Sequence, residues 1–470
     1  MVRKFIVTPA LDGDIVIGGK TNGATARLLL GRVGETGANR SVWFDAMKEF
    51  VLLILGKRGS GKSYTLGSIL ESLAAPAGAT SIASYSTTDR PAVLLLDPMM
   101  NFWTTAIPAA KNGPRRAQEA YQALEEWGVS PVDVSSQVWL PAGSLESTDY
   151  PGIKEFRLRA EDLSASDWAD LCKVNLLGDP QGMLLGECWY NVVKEGYDGT
   201  LGKVPPNPHY VVQDLVEYLD ALDGAGGHDH SSQTVRALRR TLQNFARQPL
   251  FSGAGTPLTE LLRPGSVSVL MLPPRVDHDL RRVITRRLIR RILREREIAR
   301  HIQQRLNMQE LTSSERAQLE MAMSTMVPRT ILAIDEAQEL LGDDGGEAKA
   351  ALEEFCLQGR NFGLSLILAT QRPTTSAISA KVRSQAETRI IHRLLTDDDI
   401  ELVRKDMLSS MPDEIREGDH ALNFSELIRS LDDGQCVVTS STIRNSGVSL
   451  GRTFILNVRP RVCVHGGEAD

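Results

Sequence analysis

The stretch Val51-Leu52-Leu53-Ile54-Leu55-Gly56-Lys57-Arg58-Gly59-Ser60-Gly61-Lys62-Ser63 decides the fold. A continuous aliphatic run that ends in glycine and is followed by a helical pattern reads as a strand buried on both faces of a parallel sheet. The eight residues after it fit G-x-x-x-x-G-K-[ST], and they sit between that strand and a helix expected over 64–73. Glycines there let the backbone wrap phosphate groups and point successive N–H groups inward. The expected nucleotide contacts are therefore Gly56, Gly59, Ser60, Gly61, Lys62, Ser63 and Tyr64. Lys62 would reach the β- and γ-phosphates, and the Ser63 hydroxyl would ligate Mg²⁺. The alternative is an ordinary glycine-rich turn.

Working outward, short aliphatic runs recur at 92–96, 266–272, 330–334 and 364–369, each flanked by turn or helix signals. Strands alternating with helices imply an α/β fold built on a mainly parallel sheet. The run Ile331-Leu332-Ala333-Ile334-Asp335-Glu336 ends in two acids, and ligands of parallel sheets gather at the strands' carboxyl ends. Asp335 is expected to hold Mg²⁺, and Glu336 to act as general base on the attacking water. An acidic pair also suits a plain helix start. Gln371, in Ala369-Thr370-Gln371-Arg372-Pro373, is the expected γ-phosphate sensor, with Thr370 as the alternate. Arg360, in Gly359-Arg360-Asn361-Phe362-Gly363, is a candidate finger for a neighbouring subunit's site, or a residue that ties down a helix end. Asp97 could position magnesium or merely shape the turn before Pro98.

Composition fits this picture. The chain has 470 residues, 42% hydrophobic and 24% charged, with a formal charge of -6. That balance excludes a protein that coats nucleic acid over its whole surface, yet leaves room for a local basic channel. Five scattered cysteines without a CxxC pair argue against a disulfide framework or a zinc site. No apolar run approaches the ~18 residues that span a bilayer, so no membrane association is expected and a cytoplasmic location is.

Four regions are expected: 1–49, a small N-terminal β region; 50–144, the first part of the nucleotide-binding core; 145–255, a helical insertion; and 256–470, the second part of the core with a C-terminal β extension. Residues 309–325 read as a polar helical connection. The arginine-rich helix over 280–300 invites a DNA-binding reading. Its apolar positions at i, i+4 make it instead a core helix with a solvated or subunit-facing basic side. The Gly/His run around His228–His230 reads as a loop rather than a metal site.

Taken together, the 56–63 loop, Asp97-Pro98, Ile334-Asp335-Glu336-Ala337, the 359–373 run, Ser384-Gln385 and Arg389-Ile390-Ile391-His392-Arg393-Leu394 resemble the HerA/FtsK group of hexameric motor ATPases, HerA above all. The resemblance implies a RecA-like core, a homo-hexamer with ATP and Mg²⁺ at its interfaces, and helicase-like translocation on double-stranded DNA in a central channel. It also implies a nuclease or NAD-consuming effector as partner, in DNA-end processing or antiphage defence. Two departures stand out. The N-terminal region is short for the family's β-barrel, which tilts the reading toward the defence branch. Asp97 is followed by Pro98-Met99-Met100-Asn101 instead of Pro-His-Gly-Glu. Two rival functions are an ATP-held ring that scaffolds an effector without productive translocation, and a small-molecule kinase, which a glutamate poised on water disfavours.

Overall fold

A computed structural model of the chain describes residues 3–5, 13–18, 25–34, 40–144, 152–225, 229–341, 346–373, 378–407, 415–417, 420–445, 448–449 and 452–467. The chain divides into two compact units: one comprises 1–138, 258–273 and 289–470, the other 139–257 and 274–288.

The first unit is built on a large sheet. Its strands include β1 (Ile15–Ile17), β2 (Ala26–Val33), β3 (Ser41–Asp45), β4 (Val51–Leu55), β5 (Ala92–Asp97), β6 (Val267–Met271), β7 (Thr330–Ile334), β8 (Leu364–Thr370), β9 (Thr388–Ile391), β10 (Gln435–Ser440) and β11 (Arg452–Val458). Six of them, in the spatial order β9-β4-β8-β7-β5-β6, are parallel throughout. They are aliphatic from end to end and almost wholly buried, as a sheet covered on both faces requires. Beyond β9 the ladder turns antiparallel through β10, β11, β2 and β3. The strands before the phosphate loop thus extend the same sheet, with β1 parallel to β3. The expected α/β, mainly parallel architecture is what forms.

Register fixes which residues share an edge. Thr370 lies opposite Leu55, and Ile334 opposite both Leu368 and Leu96. Gly56, Gln371, Asp335 and Asp97 therefore emerge along one edge, the carboxyl ends of β4, β8, β7 and β5. The acidic strand β7 and the loop strand β4 are not neighbours: β8 runs between them.

The helix that follows the loop, α1 (Lys62–Ala74), is buried along nearly its whole length. Its mid-point carries Glu71, a fully buried carboxylate with a complete set of partners. One oxygen accepts from Arg461 Nε (2.8 Å) and Cys463 N–H (3.1 Å), the other from Arg459 Nη1 (3.2 Å) and Val462 N–H (3.0 Å). Arg459 also donates to the Ser72 hydroxyl at 2.9 Å and to the Leu29 carbonyl at 3.0 Å. This one ion cluster ties the nucleotide helix to the segment after β11 and to β2.

The second unit is mainly helical, with helices Ala165–Cys172, Pro180–Tyr190, Val212–Ala225 and Ser232–Ala246. Trp168 is its buried centre, donating from its indole to Tyr210 Oη (2.8 Å), which in turn donates to the Leu163 carbonyl (2.8 Å). Asp167 completes the capping box of Ser164 and pairs with Arg286 and Arg287.

The arginine-rich helix runs from His278 to Met308, longer than the sequence pattern marks. Three of its arginines correct the expectation of a solvated basic side. Arg281, Arg286 and Arg296 are buried, and Arg286 and Arg287 neutralise Asp167. The polar connection forms a helix, Ser313–Ser324, none of whose residues is buried. His228 lies outside the described residues, and His230 hydrogen-bonds Glu187 at 2.8 Å. Among the described residues no cluster of three potential metal ligands occurs, and all five cysteines are free. No helix among the described residues is long and apolar enough to cross a membrane.

Glu71→Ala leaves two guanidiniums buried without their counter-charge, a loss of about 3–5 kcal/mol. Urea denaturation of the variant beside the parent chain should show that decrease.

Candidate nucleotide site

The loop's geometry follows from its glycines. Gly61 caps α1 at φ +97°, a conformation that side chains with a Cβ rarely adopt. Gly56 faces a different constraint: a Cβ there would lie 2.5 Å from Ser60 Oγ and 2.6 Å from His392 Cβ. The loop closes on itself as the Ser60 hydroxyl (2.8 Å) and Lys62 Nζ (3.1 Å) both donate to the Lys57 carbonyl. The N–H groups of Lys62, Ser63 and Tyr64 open α1 with no partner inside the helix, which makes them anion donors. The Tyr64 hydroxyl accepts from Arg461 N–H at 3.0 Å, so the tyrosine can offer a nucleotide only that backbone donor.

The acidic strand comes to the loop across β8. Ser63 Oγ donates to Asp335, 3.0 and 3.3 Å from its two oxygens, and Lys62 Nζ lies 3.4 Å from Glu336 Oε1. The same Glu336 oxygen accepts from Gln371 Nε2 at 2.7 Å. The structure thus brings Lys62, Ser63, Asp335, Glu336 and Gln371 together. Glu336 holds φ +44°, a backbone setting that costs free energy and recurs where a side chain must be aimed.

Three buried carboxylates share this edge. Asp335 is pushed up to about 7, first by burial, then by Glu336 and Asp97, against the pull of Lys62 and Ser63. Burial raises Asp97 to about 6, opposed by N–H groups of the turn beyond it. The Asp97 carboxylate accepts from Phe102 N–H (2.8 Å) and Met99 N–H (3.2 Å), so it shapes the turn after β5. Ser63 and Asp335 present two hard oxygen donors side by side among these carboxylates. That donor set suits Mg²⁺, which takes one or two protein oxygens and fills its shell with phosphate and water.

Arg360 lies apart from this group. It sits in the turn Gly359–Phe362 before β8, exposed, paired with Glu387. The seven residues of β8 separate it from Gln371, roughly 20 Å along the strand at ~3.3 Å per residue.

Two residues join the site that motif reading passes over. Gln338 donates to Glu336 Oε2 at 2.7 Å and accepts from the Thr370 hydroxyl at 2.7 Å. His392 lies beneath the loop, its Nε2 2.9 Å from Thr65 Oγ1 and its Nδ1 3.1 Å from the Gln435 carbonyl. A carbonyl can only accept, so Nδ1 carries the proton and Nε2 receives the threonine's. The signal for Gln338 was its place three residues after Asp335, on the first turn of a helix; His392 lies in the 389–394 run that resembles the family, with nothing in that run to mark its role.

The model of the HerA helicase central domain matches residues 30–292, more than half of the chain. The chain belongs to that family. This places it in the HerA/FtsK group of P-loop ATPases. The DNA translocase FtsK of Helicobacter pylori (strain J99) is 32% identical over 76 residues, 16% of this chain and 9% of that protein. FtsK of Treponema pallidum (strain Nichols) is 27% identical over 81 residues, 17% and 10% of the two chains. The matches span about a tenth of the length of these curated relatives. Among solved structures, VirB4 of Thermoanaerobacter pseudethanolicus aligns over 94% of this chain and 98% of its own, at 16% identity and a TM-score of 0.49.

His392 generates a pH dependence. Burial lowers it to about 3, so the folded chain keeps it neutral while the unfolded chain protonates it below the ordinary 6.5. A depressed pKa contributes stability that is present above 6.5 and drains away as pH falls toward 3. Between pH 7.5 and 5 the loss amounts to about 2 kcal/mol. Denaturation of the parent and of His392→Asn at both pH values should show the parent losing about that much more.

Proposed function

We propose that this chain hydrolyses ATP to drive movement along DNA, as one subunit of a ring. What carries the reading is the meeting of Lys62 with Glu336 at 3.4 Å and of Ser63 with Asp335 at 3.0 Å, with Gln371 on the strand between. A phosphate cradle facing a carboxylate pair is the equipment of NTP hydrolysis.

In this reading the N–H groups at the start of α1 and of the Gly56–Ser63 loop hold the triphosphate, and Lys62 leaves the Lys57 carbonyl to bridge the β- and γ-phosphates. Ser63 and Asp335 would hold Mg²⁺, which would neutralise charge on the phosphoryl oxygens. Glu336 takes a proton from a water aligned on the γ-phosphorus. As the new P–O bond forms, the bond to the β-phosphate oxygen breaks and ADP leaves. Gln371, within hydrogen-bonding reach of Glu336, orients that water and registers the γ-phosphate.

Arg360 is too far from its own chain's loop to act there. Its place at the opposite end of β8 and its exposure suit a finger that enters the site of the next subunit, a contribution of ~10³–10⁵ in rate. That requires a closed ring, and the family's hexamer is the proposed form, with duplex DNA in its channel. A nuclease or NAD-consuming effector, in end processing or antiphage defence, is the proposed partner.

Glu336→Gln should bind a fluorescent ATP analogue normally and hydrolyse ATP at least ~100-fold more slowly. Steady-state turnover close to the parent's would remove the general-base role. Arg360→Ala and Lys62→Ala chains, each inactive alone, should regain part of the activity when mixed, because one supplies a loop and the other a finger. Duplex DNA should raise the ATPase rate and salt should erase the effect steeply. A rate indifferent to DNA that rises with an effector would favour the scaffold instead.

A further inference from the structure

The carboxylate of Glu336 is held at both oxygens, by different elements. Oε1 faces Lys62 and accepts from Gln371; Oε2 accepts from Gln338 Nε2 alone among the described bonds, at 2.7 Å. Gln338 is the second residue of the short helix Ala337–Leu341, which begins directly after the strained Glu336. Its other end accepts from the hydroxyl of Thr370, the buried last residue of β8, at 2.7 Å.

The polarity of this chain of bonds is determined. The Glu336 carboxylate can only accept, so Gln338 turns its N–H toward it and its oxygen toward Thr370. The threonine hydroxyl accepts from Arg372 N–H at 3.1 Å and, with the Arg372 carbonyl 3.3 Å away, donates along the shorter bond to Gln338 Oε1 at 2.7 Å. Each bond polarises the next in a site of low dielectric, so the series holds the carboxylate better than its separate links would. The order runs Arg372 N–H, Thr370 hydroxyl, Gln338 amide, Glu336 carboxylate.

We infer that Gln338 is a positioning residue for hydrolysis: it sets the plane of the Glu336 carboxylate and links that plane to the end of β8 through Thr370. The inference rests on the hydrolytic reading above and assigns a residue that the phosphate loop and the acidic pair do not include. A base is effective only within hydrogen-bond reach of the proton it removes. A small error in its placement is worth up to ~100-fold in rate. Because β8 carries Gln371 one residue beyond Thr370, a shift of that strand end would move the sensor and the base's anchor together.

The test compares Gln338→Ala, Thr370→Val and the double variant of the full chain, measuring kcat and KM for ATP and the affinity for a fluorescent ATP analogue. Each single variant should lower kcat about tenfold or more and leave KM and analogue affinity within about threefold. The double should be no slower than the slower single, because both break one relay. The relay fails if Gln338→Ala keeps kcat within twofold, if the two losses multiply, or if analogue binding is lost, which would mark a structural role. Glu336→Gln separates the two levels. A Glu336→Gln chain that still turns over removes the general-base role on which the relay rests. An inactive Glu336→Gln beside an unimpaired Gln338→Ala sinks only the relay.

Discussion

Three carboxylates buried at one sheet edge, answered by a single lysine, are the constraint around which this molecule is organised. Asp97, Asp335 and Glu336 emerge from the tips of β5 and β7, and among the described residues Lys62 is the cation that reaches into the group. Burying charge is costly unless it is paired. Asp97 answers the cost with the N–H groups of its own turn. Glu336 answers it with Lys62 and two amides. Asp335 has one hydroxyl and is pushed up to about 7. The group least satisfied by protein is thus the one beside Ser63, where a divalent cation would do the most to relieve it. The electrostatic imbalance is concentrated at one spot, not spread over the edge.

Most of this edge was legible in the sequence because its determinants are local. A strand buried on both faces needs an unbroken aliphatic run, and five of the six parallel strands announce themselves that way. The phosphate loop needs glycine where a Cβ cannot fit, which leaves a readable spacing. Asp335 and Glu336 follow from the end of a strand. What the sequence could not convey were pairings made between distant segments. Glu71 is an apolar-helix oddity until Arg459 and Arg461 arrive from nearly four hundred residues away. Gln338 looks like any first-turn polar residue until β8 brings Thr370 beside it. The arginines at 281 and 286 read as a basic surface for the same reason: burial and the counter-charge of Asp167 are tertiary facts.

Order of the strands carries a functional meaning that the motifs alone lack. With β8 between the loop strand and the acidic strand, a polar residue at the tip of β8 is adjacent to both the phosphates' cradle and the base. The same strand begins just after Arg360. One wholly buried strand therefore runs from Gln371, the proposed sensor, at one end to the exposed Arg360 at the other. In a ring, that is the shortest covalent route by which the state of one site could be felt at the next.

Rigid and replaceable contacts are divided accordingly. The frame of the site is held by groups that water cannot reach: the Glu71 cluster, the neutral His392 bridging Thr65 and Gln435, and the aliphatic strands. Such contacts are expensive to break and make poor switches. The groups that would change partners during turnover are those with alternatives at hand. Lys62 rests on the loop's own carbonyl, Gln338 and Gln371 are half-buried, and the Arg360–Glu387 pair is a surface ion pair, worth at most ~1 kcal/mol. A triphosphate offers Lys62 a stronger partner than a carbonyl, and a neighbour's γ-phosphate does the same for Arg360. In the proposed turnover the exchange of partners falls on these weaker hydrogen bonds, while the buried frame keeps its own.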